Sequence, residues 1–253
     1  MKETALITGA SSGIGRATAR YFAARGLRLV ICGRRQDRLD ALREELSGIT
    51  EVFSLNFDIR DREAVFKAIG SLPGEFSAID ILINNAGNAH GLDPIEKGNP
   101  DDWDAMLDIN VKGLLYVTKA VLPQMVARRA GHIIHIGSTA GKEVYPGGNV
   151  YCASKHAVDA INQGMRIDLN QYGIRVGAVN PGMVQTEFSE VRFKGDTEKA
   201  NKVYEGFQPL KPEDVAEIIH FLVSRPPHVN IADLVVMATA QASSTIVNKS
   251  TDG

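Results

Sequence analysis

Cysteine is scarce in this chain: Cys32 and Cys152 are the only two among 253 residues, and no Cys-x-x-Cys pair is present. That excludes a disulfide scaffold and a thiolate zinc site, and fits reduced thiols in a cytoplasmic protein. Long apolar runs are also missing; none approaches the ~18 residues that span a bilayer. A strand pattern begins by residue 4, leaving no room for a signal peptide. Neither sign of charge dominates, since 28 Lys+Arg against 30 Asp+Glu leave a net charge of −2. A basic footprint for nucleic acid or an anionic membrane is therefore absent. The histidines at 90, 132, 135, 156, 220 and 228 show no metal spacing such as H-E-x-x-H, and no metal is expected.

What is present is a soluble composition, 44% hydrophobic and 23% charged, long enough to bury a full core. Residues 4–8 read as a buried strand, followed by Gly9, Ser11, Ser12, Gly13, Ile14 and Gly15, then a helical run over 16–25. Strand, glycine turn and helix form the context in which a Gly-rich loop holds phosphate. The glycines admit a close backbone approach, and the helix N-terminus offers free N–H groups and a positive dipole. The spacing is G-x-x-x-G-x-G, not the commoner G-x-G-x-x-G. A second strand over 28–32 ends in Gly33, Arg34 and Arg35, with no acid to bond a ribose 2′-hydroxyl. The two arginines are either phosphate ligands, which selects NADP, or solvated residues opening a helix.

A third strand over 51–57 leads to Asp58, whose carboxylate is placed to accept an adenine amino group. After a helix over 62–69, a fourth strand at 79–83 runs into Asn84, Asn85, Ala86 and Gly87, residues that line a nucleotide crevice or simply shape a turn. Strands alternating with helices predict an α/β fold, a three-layer doubly wound parallel sheet, in one domain over 1–253.

The second half carries the chemistry. A long helix over 100–128 holds Asn110 among apolar neighbours, as a satisfied buried amide or as a kink that seats a water. A fifth strand over 132–136 ends at Ser138, thirteen residues before Tyr151. Tyr151 and Lys155 stand four apart, on one helical face. A free phenol, with a pKa near ~10, is a poor proton carrier at neutral pH. A nearby ammonium lowers it into a useful range. Cys152, between them, reads as a small core filler rather than a nucleophile.

Taken together, Gly9, Gly13, Gly15, Asn84 to Gly87, Asn110, Ser138, Tyr151 and Lys155 resemble the short-chain dehydrogenases/reductases, in order and spacing and over essentially the whole chain. The resemblance implies a Rossmann-like sheet of seven strands in the order 3-2-1-4-5-6-7. It implies Tyr151 as catalytic acid/base, Ser138 holding the substrate oxygen, and Lys155 bonding the nicotinamide ribose while lowering the Tyr151 pKa. Asn110 would hold a water connecting Lys155 to solvent. Pro181, Gly182, Val184 and Thr186 would pass the nicotinamide, and residues 187–206 would form a substrate lid. Local stretches at 147–151, 186–196 and 227–231 are similar to the NADP-dependent 3-hydroxy acid dehydrogenases, whose substrates include L-serine, L-allo-threonine and 3-hydroxypropionate-type acids. A substrate carboxylate needs a partner if buried, and Arg192, beside Phe188, Val191 and Phe193, is the candidate or else a surface arginine. The family also implies a homotetramer built through the helix from Tyr151 and a last strand at 233–237. The rivals are a 3-oxoacyl-thioester reductase and a dinucleotide-sensing protein without catalysis.

Overall fold

The computed structural model describes residues 2–249; residue 1 and the end of the polar tail, 250–253, lie outside the described residues. The first half runs β1 (Thr4–Thr8), α1 (Gly13–Ala23), β2 (Arg28–Gly33), α2 (Gln36–Ser47), β3 (Val52–Asn56), α3 (Arg62–Gly70), the short α4 (Gly74–Ser77) and β4 (Ile81–Asn84). The second continues through α5 (Pro100–Leu107), α6 (Leu114–Arg128), β5 (Gly131–Ile136), α7 (Asn149–Leu169), β6 (Ile174–Pro181), α8 (Phe188–Arg192), α9 (Thr197–Lys202), α10 (Pro212–Val223) and β7 (Asp233–Val236). One seven-stranded sheet joins them in the order β3-β2-β1-β4-β5-β6-β7, every pair parallel, as expected.

Strand periodicity divides the core between the two faces. Leu6, Val30, Leu82, Ile133 and Val176 point into one apolar cluster with Val65, Val117 and Val121 of α3 and α6. Their neighbours Ile7, Ile31, Ile83, Ile134 and Val179 point into the other, with Phe22, Leu39 and Ile219 of α1, α2 and α10. Burial on both faces is why these strands read as near-continuous apolar runs rather than alternating ones. A third, smaller cluster gathers Ala89, Met106, Ala140, Tyr151 and Cys152, with Trp103, Tyr145 and Phe188 packed against it.

Most boundaries shift by a residue or a few from the sequence reading, and two differences stand out. β4 starts at Ile81 rather than 79, with Asp80 just ahead of it bonded to Thr4 and His132 through its backbone and accepting the Thr4 N–H (2.9 Å) on its carboxylate. The long helix over 100–128 is interrupted by a π-helical turn at Asp108–Gly113. There a Cβ on Gly113 would stand 2.6 Å from Ile59 Cγ1, so the chain passes too close for any side chain. Such an extra-residue turn is typical of functional positions. It carries Asn110.

Candidate active site

The strand order reverses between β1 and β4, and the loops after these two strands open a crevice where a doubly wound sheet binds its ligands. It has a volume of about 580 Å³ and runs from the Gly9 loop, past the C-terminal ends of β4, β5 and β6, to the segment after β6. At its nucleotide end, Gly9 has φ +65° and a Cβ there would lie 2.9 Å from Asn85 Nδ2. A Cβ on Gly15 would strike the Gly9 carbonyl oxygen at 2.4 Å, so that glycine packs the loop onto α1 without lining the crevice. Asn85 is absorbed into the same construction, donating to the Thr8 carbonyl (2.8 Å). Ser12, at the N-cap of α1, makes no side-chain cap. Gly13 and Ile14, the first residues of the helix, line the crevice, where the free N–H groups of a helix N-terminus suit an anion.

The arginines after β2 are both at the crevice. Arg35 donates to Ser12 Oγ (2.8 Å) and Ser11 Oγ (3.2 Å), and pairs with Glu187 (2.9 Å). Arg34 is more open, its side chain 58% exposed. The Asp58 carboxylate also lines the crevice, but Arg60 holds it (2.7 Å) with Arg34 near (3.5 Å); burial pushes its pKa up, and these bonds and charges outweigh that and keep it below the ordinary value. An adenine amino group would share it with Arg60. Uncapped helix, glycine cradle and arginine cluster fit a dinucleotide carrying an extra phosphate.

At the other end stand Ser138, Tyr151 and Lys155. Ser138 caps the turn after β5, accepting the Ala140 N–H (3.1 Å), and its hydroxyl hydrogen-bonds Tyr151. Burial pushes the Tyr151 phenol up to about 12; the Arg192 guanidinium is the largest influence pulling it back, with Ser138 behind it. The Lys155 ammonium donates to the Ile136 carbonyl (2.9 Å) and is brought down to about 8 by burial. Arg192 is therefore the leading cation acting on the phenol in this structure, a side chain the sequence reading considers only for a substrate carboxylate. Asn110 lies beneath the crevice rather than in its wall. Its Nδ2 donates to the Asn88 carbonyl (2.9 Å) and Ser154 Oγ (3.0 Å), and its Oδ1 accepts the Asn88 N–H (2.9 Å). A Cβ on Gly87 would sit 3.1 Å from Asn110 Oδ1 and 3.6 Å from Lys155 Nζ, so glycine leaves the space between them open.

Pro181 at the end of β6 and Gly182, Val184, Thr186 and Phe188 beyond it close the crevice. The Phe188 ring lies 5.7 Å from that of Tyr151. Arg192 is half-buried one turn on. Its guanidinium sits 4.9 Å from the Tyr151 ring centre and donates to the Tyr145 hydroxyl (2.6 Å). Its Nε is buried without a partner, and among the described residues no carboxylate pairs with it. Phe193, expected beside it, follows the end of α8.

Sequence reasoning missed Arg38, Glu187 and Tyr145. Arg38 follows Arg35 at helical spacing, a signal that was there to read; Tyr145 and Glu187 reach the site only through the fold. His90 was weighed only as a metal ligand, yet it lines the crevice, held below its ordinary pKa by burial and 2.6 Å from Asn88 Nδ2. Among the described residues no group of three or more His, Cys, Asp or Glu could hold a metal ion, and no helix is long and apolar enough to cross a membrane.

Known proteins share this architecture. The profile of the short chain dehydrogenase family matches residues 3–197. The NADP-dependent 3-hydroxy acid dehydrogenase of Salmonella typhi is 47% identical over 238 residues, covering 94% of this chain and 95% of that protein. Sulfoacetaldehyde reductase 2 of Chromohalobacter salexigens is 45% identical over 243 residues, 96% of each. The closed form of serine dehydrogenase complexed with NADP⁺ superposes with a TM-score of 0.92 at 45% identity, covering 98% of this chain and 99% of that one. A profile over most of the length, and relatives near half identical over nearly all of it, lead to one conclusion: this chain belongs to the short chain dehydrogenase family.

Proposed function

We propose that this protein is an NADP-dependent dehydrogenase of short 3-hydroxy acids, reversible as a reductase of the corresponding 3-oxo acids. The observation that carries the substrate class is the unpaired guanidinium of Arg192 against the Tyr151 ring. A half-buried cation without a counter-ion is unfavourable, and an anionic substrate supplies the missing partner. With its carboxylate on Arg192 and its hydroxyl on Ser138 and Tyr151, a short acid is held at two points. That fixes which carbon faces the nicotinamide. A neutral 3-oxoacyl thioester would leave the guanidinium unpaired, and a dinucleotide sensor would need neither contact.

Oxidation removes a hydride from the carbinol carbon and a proton from its hydroxyl. The nicotinamide, when bound, supplies the hydride acceptor. Tyr151 Oη takes the proton, with Ser138 orienting the substrate oxygen. A phenol near 12 is protonated at neutral pH, so the site as it stands is set to donate to a carbonyl. Lys155, near 8, exchanges protons readily at neutral pH, and a water seated by Asn110 in the space left by Gly87 would carry them on to solvent. Gly9, Gly13 and the start of α1 would hold the pyrophosphate, Arg34 and Arg35 the 2′-phosphate, and Asp58 the adenine. Asn85, Ala86 and Gly87 would line the nucleoside, and Lys155 would reach the nicotinamide ribose.

The same reading takes residues 1–253 as one domain with a lid over 187–206, working in the cytoplasm with Cys32 and Cys152 buried and free. It also takes a homotetramer. Exposed Ala153, Ala160 and Ile167 follow one another along α7, and Val235 is exposed on the edge strand β7.

NADPH absorbance followed against 3-hydroxy acids, their methyl esters, 3-oxoacyl thioesters and 2-sulfo aldehydes tests the substrate class. Turnover of the acids with weak use of the esters is expected. Preference for thioesters would overturn the reading, and preference for the sulfonate would move it to the chemistry of the Chromohalobacter relative.

A further inference from the structure

Glu187 joins the two ends of the crevice. Its two carboxylate oxygens are held by different arginines, Oε2 by Arg35 Nη1 (2.9 Å) and Oε1 by Arg38 Nη1. It is the residue immediately before α8, the helical turn that carries Phe188 and Arg192 onto Tyr151. Thr186, just ahead, stands over the Gly13 turn, where a Cβ would come 3.3 Å from Thr186 Cγ2. Residues 186–192 therefore form one short, continuous link from the phosphate arginines to the proton-transfer tyrosine. The far end of the link is tied separately, by Gly91 N–H to the Arg192 carbonyl (2.9 Å) and by Lys194 to Asp102 (2.9 Å).

We propose that Glu187 is the built-in rival of the cofactor's 2′-phosphate: it occupies Arg35 and Arg38 until that phosphate arrives, and its displacement reseats the lid over the substrate site. This rests on the NADP reading, and it adds a residue that makes lid position depend on which dinucleotide is bound. The physical grounds are charge and place. A carboxylate and a 2′-phosphate compete for the same forked donors, and the dianion wins because it carries more charge and more acceptor oxygens. Once the phosphate is in, Glu187 faces a like charge across the same guanidinium, and the start of α8 can move while its far end stays tied. A cofactor without the 2′-phosphate leaves Glu187 in place and the lid as it is. Selectivity then arises at two stages, in binding and again in lid seating.

The fold supplies its own reporter. Trp103, the only tryptophan in the chain, packs in the cluster that contains Phe188, Tyr145 and Tyr151, away from the adenosine end. The test titrates cofactor-free protein with 2′,5′-ADP and with 5′-ADP, following heat and Trp103 emission, in the wild type and in Glu187→Gln. Neither ligand carries a nicotinamide, so any change at Trp103 must travel through the chain. The wild type should bind 2′,5′-ADP more tightly than 5′-ADP, with a change in Trp103 emission for the former alone. Glu187→Gln should bind 2′,5′-ADP about threefold to tenfold more tightly, the scale of removing two partly exposed ion pairs. It should leave 5′-ADP unchanged and lose the emission change on adding 2′,5′-ADP. Equal affinity of the two proteins for 2′,5′-ADP would overturn the rivalry while leaving the NADP reading intact. Tighter binding with the emission change retained would overturn the link to the lid. A wild type indifferent to the 2′-phosphate would remove the NADP reading and the proposal with it.

Discussion

Lys155→Met should make the cofactor-free protein more stable at pH 7 while abolishing activity. Lys155 is 7% exposed and, among the described residues, no carboxylate pairs with it; its ammonium donates to the backbone carbonyl of Ile136 at 2.9 Å. Burial lowers its pKa from 10.5 to about 8, which puts the free-energy cost of keeping the charged form in the fold at about 3 kcal/mol, as a ceiling. Methionine keeps the length and apolar stem without the charge. It removes a donor from the Ile136 carbonyl, which costs about 1 kcal/mol. The variant should therefore gain about 2 kcal/mol at pH 7, or about 4–8 °C in Tm for a chain of this size.

The pH dependence is the sharper part. Below pH 8 both folded and unfolded chains carry the Lys155 proton, and the wild type bears the full penalty. Between about 8 and 10.5 the folded state has released it while the unfolded chain still binds it, so wild-type stability rises with pH. Above 10.5 the penalty is gone and only the donor to Ile136 distinguishes the two proteins, now in favour of the wild type. Urea unfolding of both proteins at pH 7, 8.5 and 10 measures the difference, and groups common to both cancel. A methionine variant that is less stable at pH 7, or a difference that does not shrink with rising pH, would refute the reasoning.

Tyr151→Phe should lower kcat by orders of magnitude with cofactor affinity retained, and wild-type oxidation should accelerate with rising pH because burial holds the phenol near 12; steady-state kinetics with equilibrium cofactor titration check both. Arg192→Ala should raise KM at least tenfold for a 3-hydroxy acid and little for its methyl ester, with Arg192→Lys restoring part of the loss; equal effects on acid and ester would show that Arg192 only shapes the lid. His132 and His135, buried in β5 and held neutral at about 3 and about 4, should each remove up to about 2 kcal/mol of stability as pH falls from 6.5 to 5, because the unfolded chain binds a proton there that the fold refuses; a His135→Gln variant should show a flatter acid limb in urea unfolding.

Much of this was legible in sequence because it is local or periodic. Apolar runs gave the first five strands, and their alternation with helices gave a parallel sheet, since each crossover must return the chain to the same end. The Gly9 loop and the Tyr151–Lys155 spacing are short-range patterns whose geometry follows from one strand, one turn or one helix. The strand order itself came through resemblance, because pairing between distant strands leaves no local trace. A kink at Asn110 was one of two readings the sequence left open; what it does not reveal is the close approach of Ile59, far away in sequence, to Gly113 of the π-helical turn.

The limit shows most clearly in how Tyr151 is tuned. Four residues of spacing on one helix pointed to Lys155 as the charge acting on the phenol. Spacing, however, fixes where a side chain starts and not where its end goes. Lys155 turns to the Ile136 carbonyl, and Arg192 arrives from a lid 41 residues later to lie over the ring. A guanidinium delivered by a lid differs from an ammonium fixed in the same helix, because its distance from the phenol depends on how the lid is seated. Neutralising it with a bound carboxylate removes the main influence holding the phenol down. The anionic substrate would thereby favour the protonated tyrosine, the form that reduces a carbonyl. On the proposed function, substrate charge and the preferred direction of proton transfer would then depend on one side chain, which neither the tyrosine motif nor the sequence around Arg192 reveals alone.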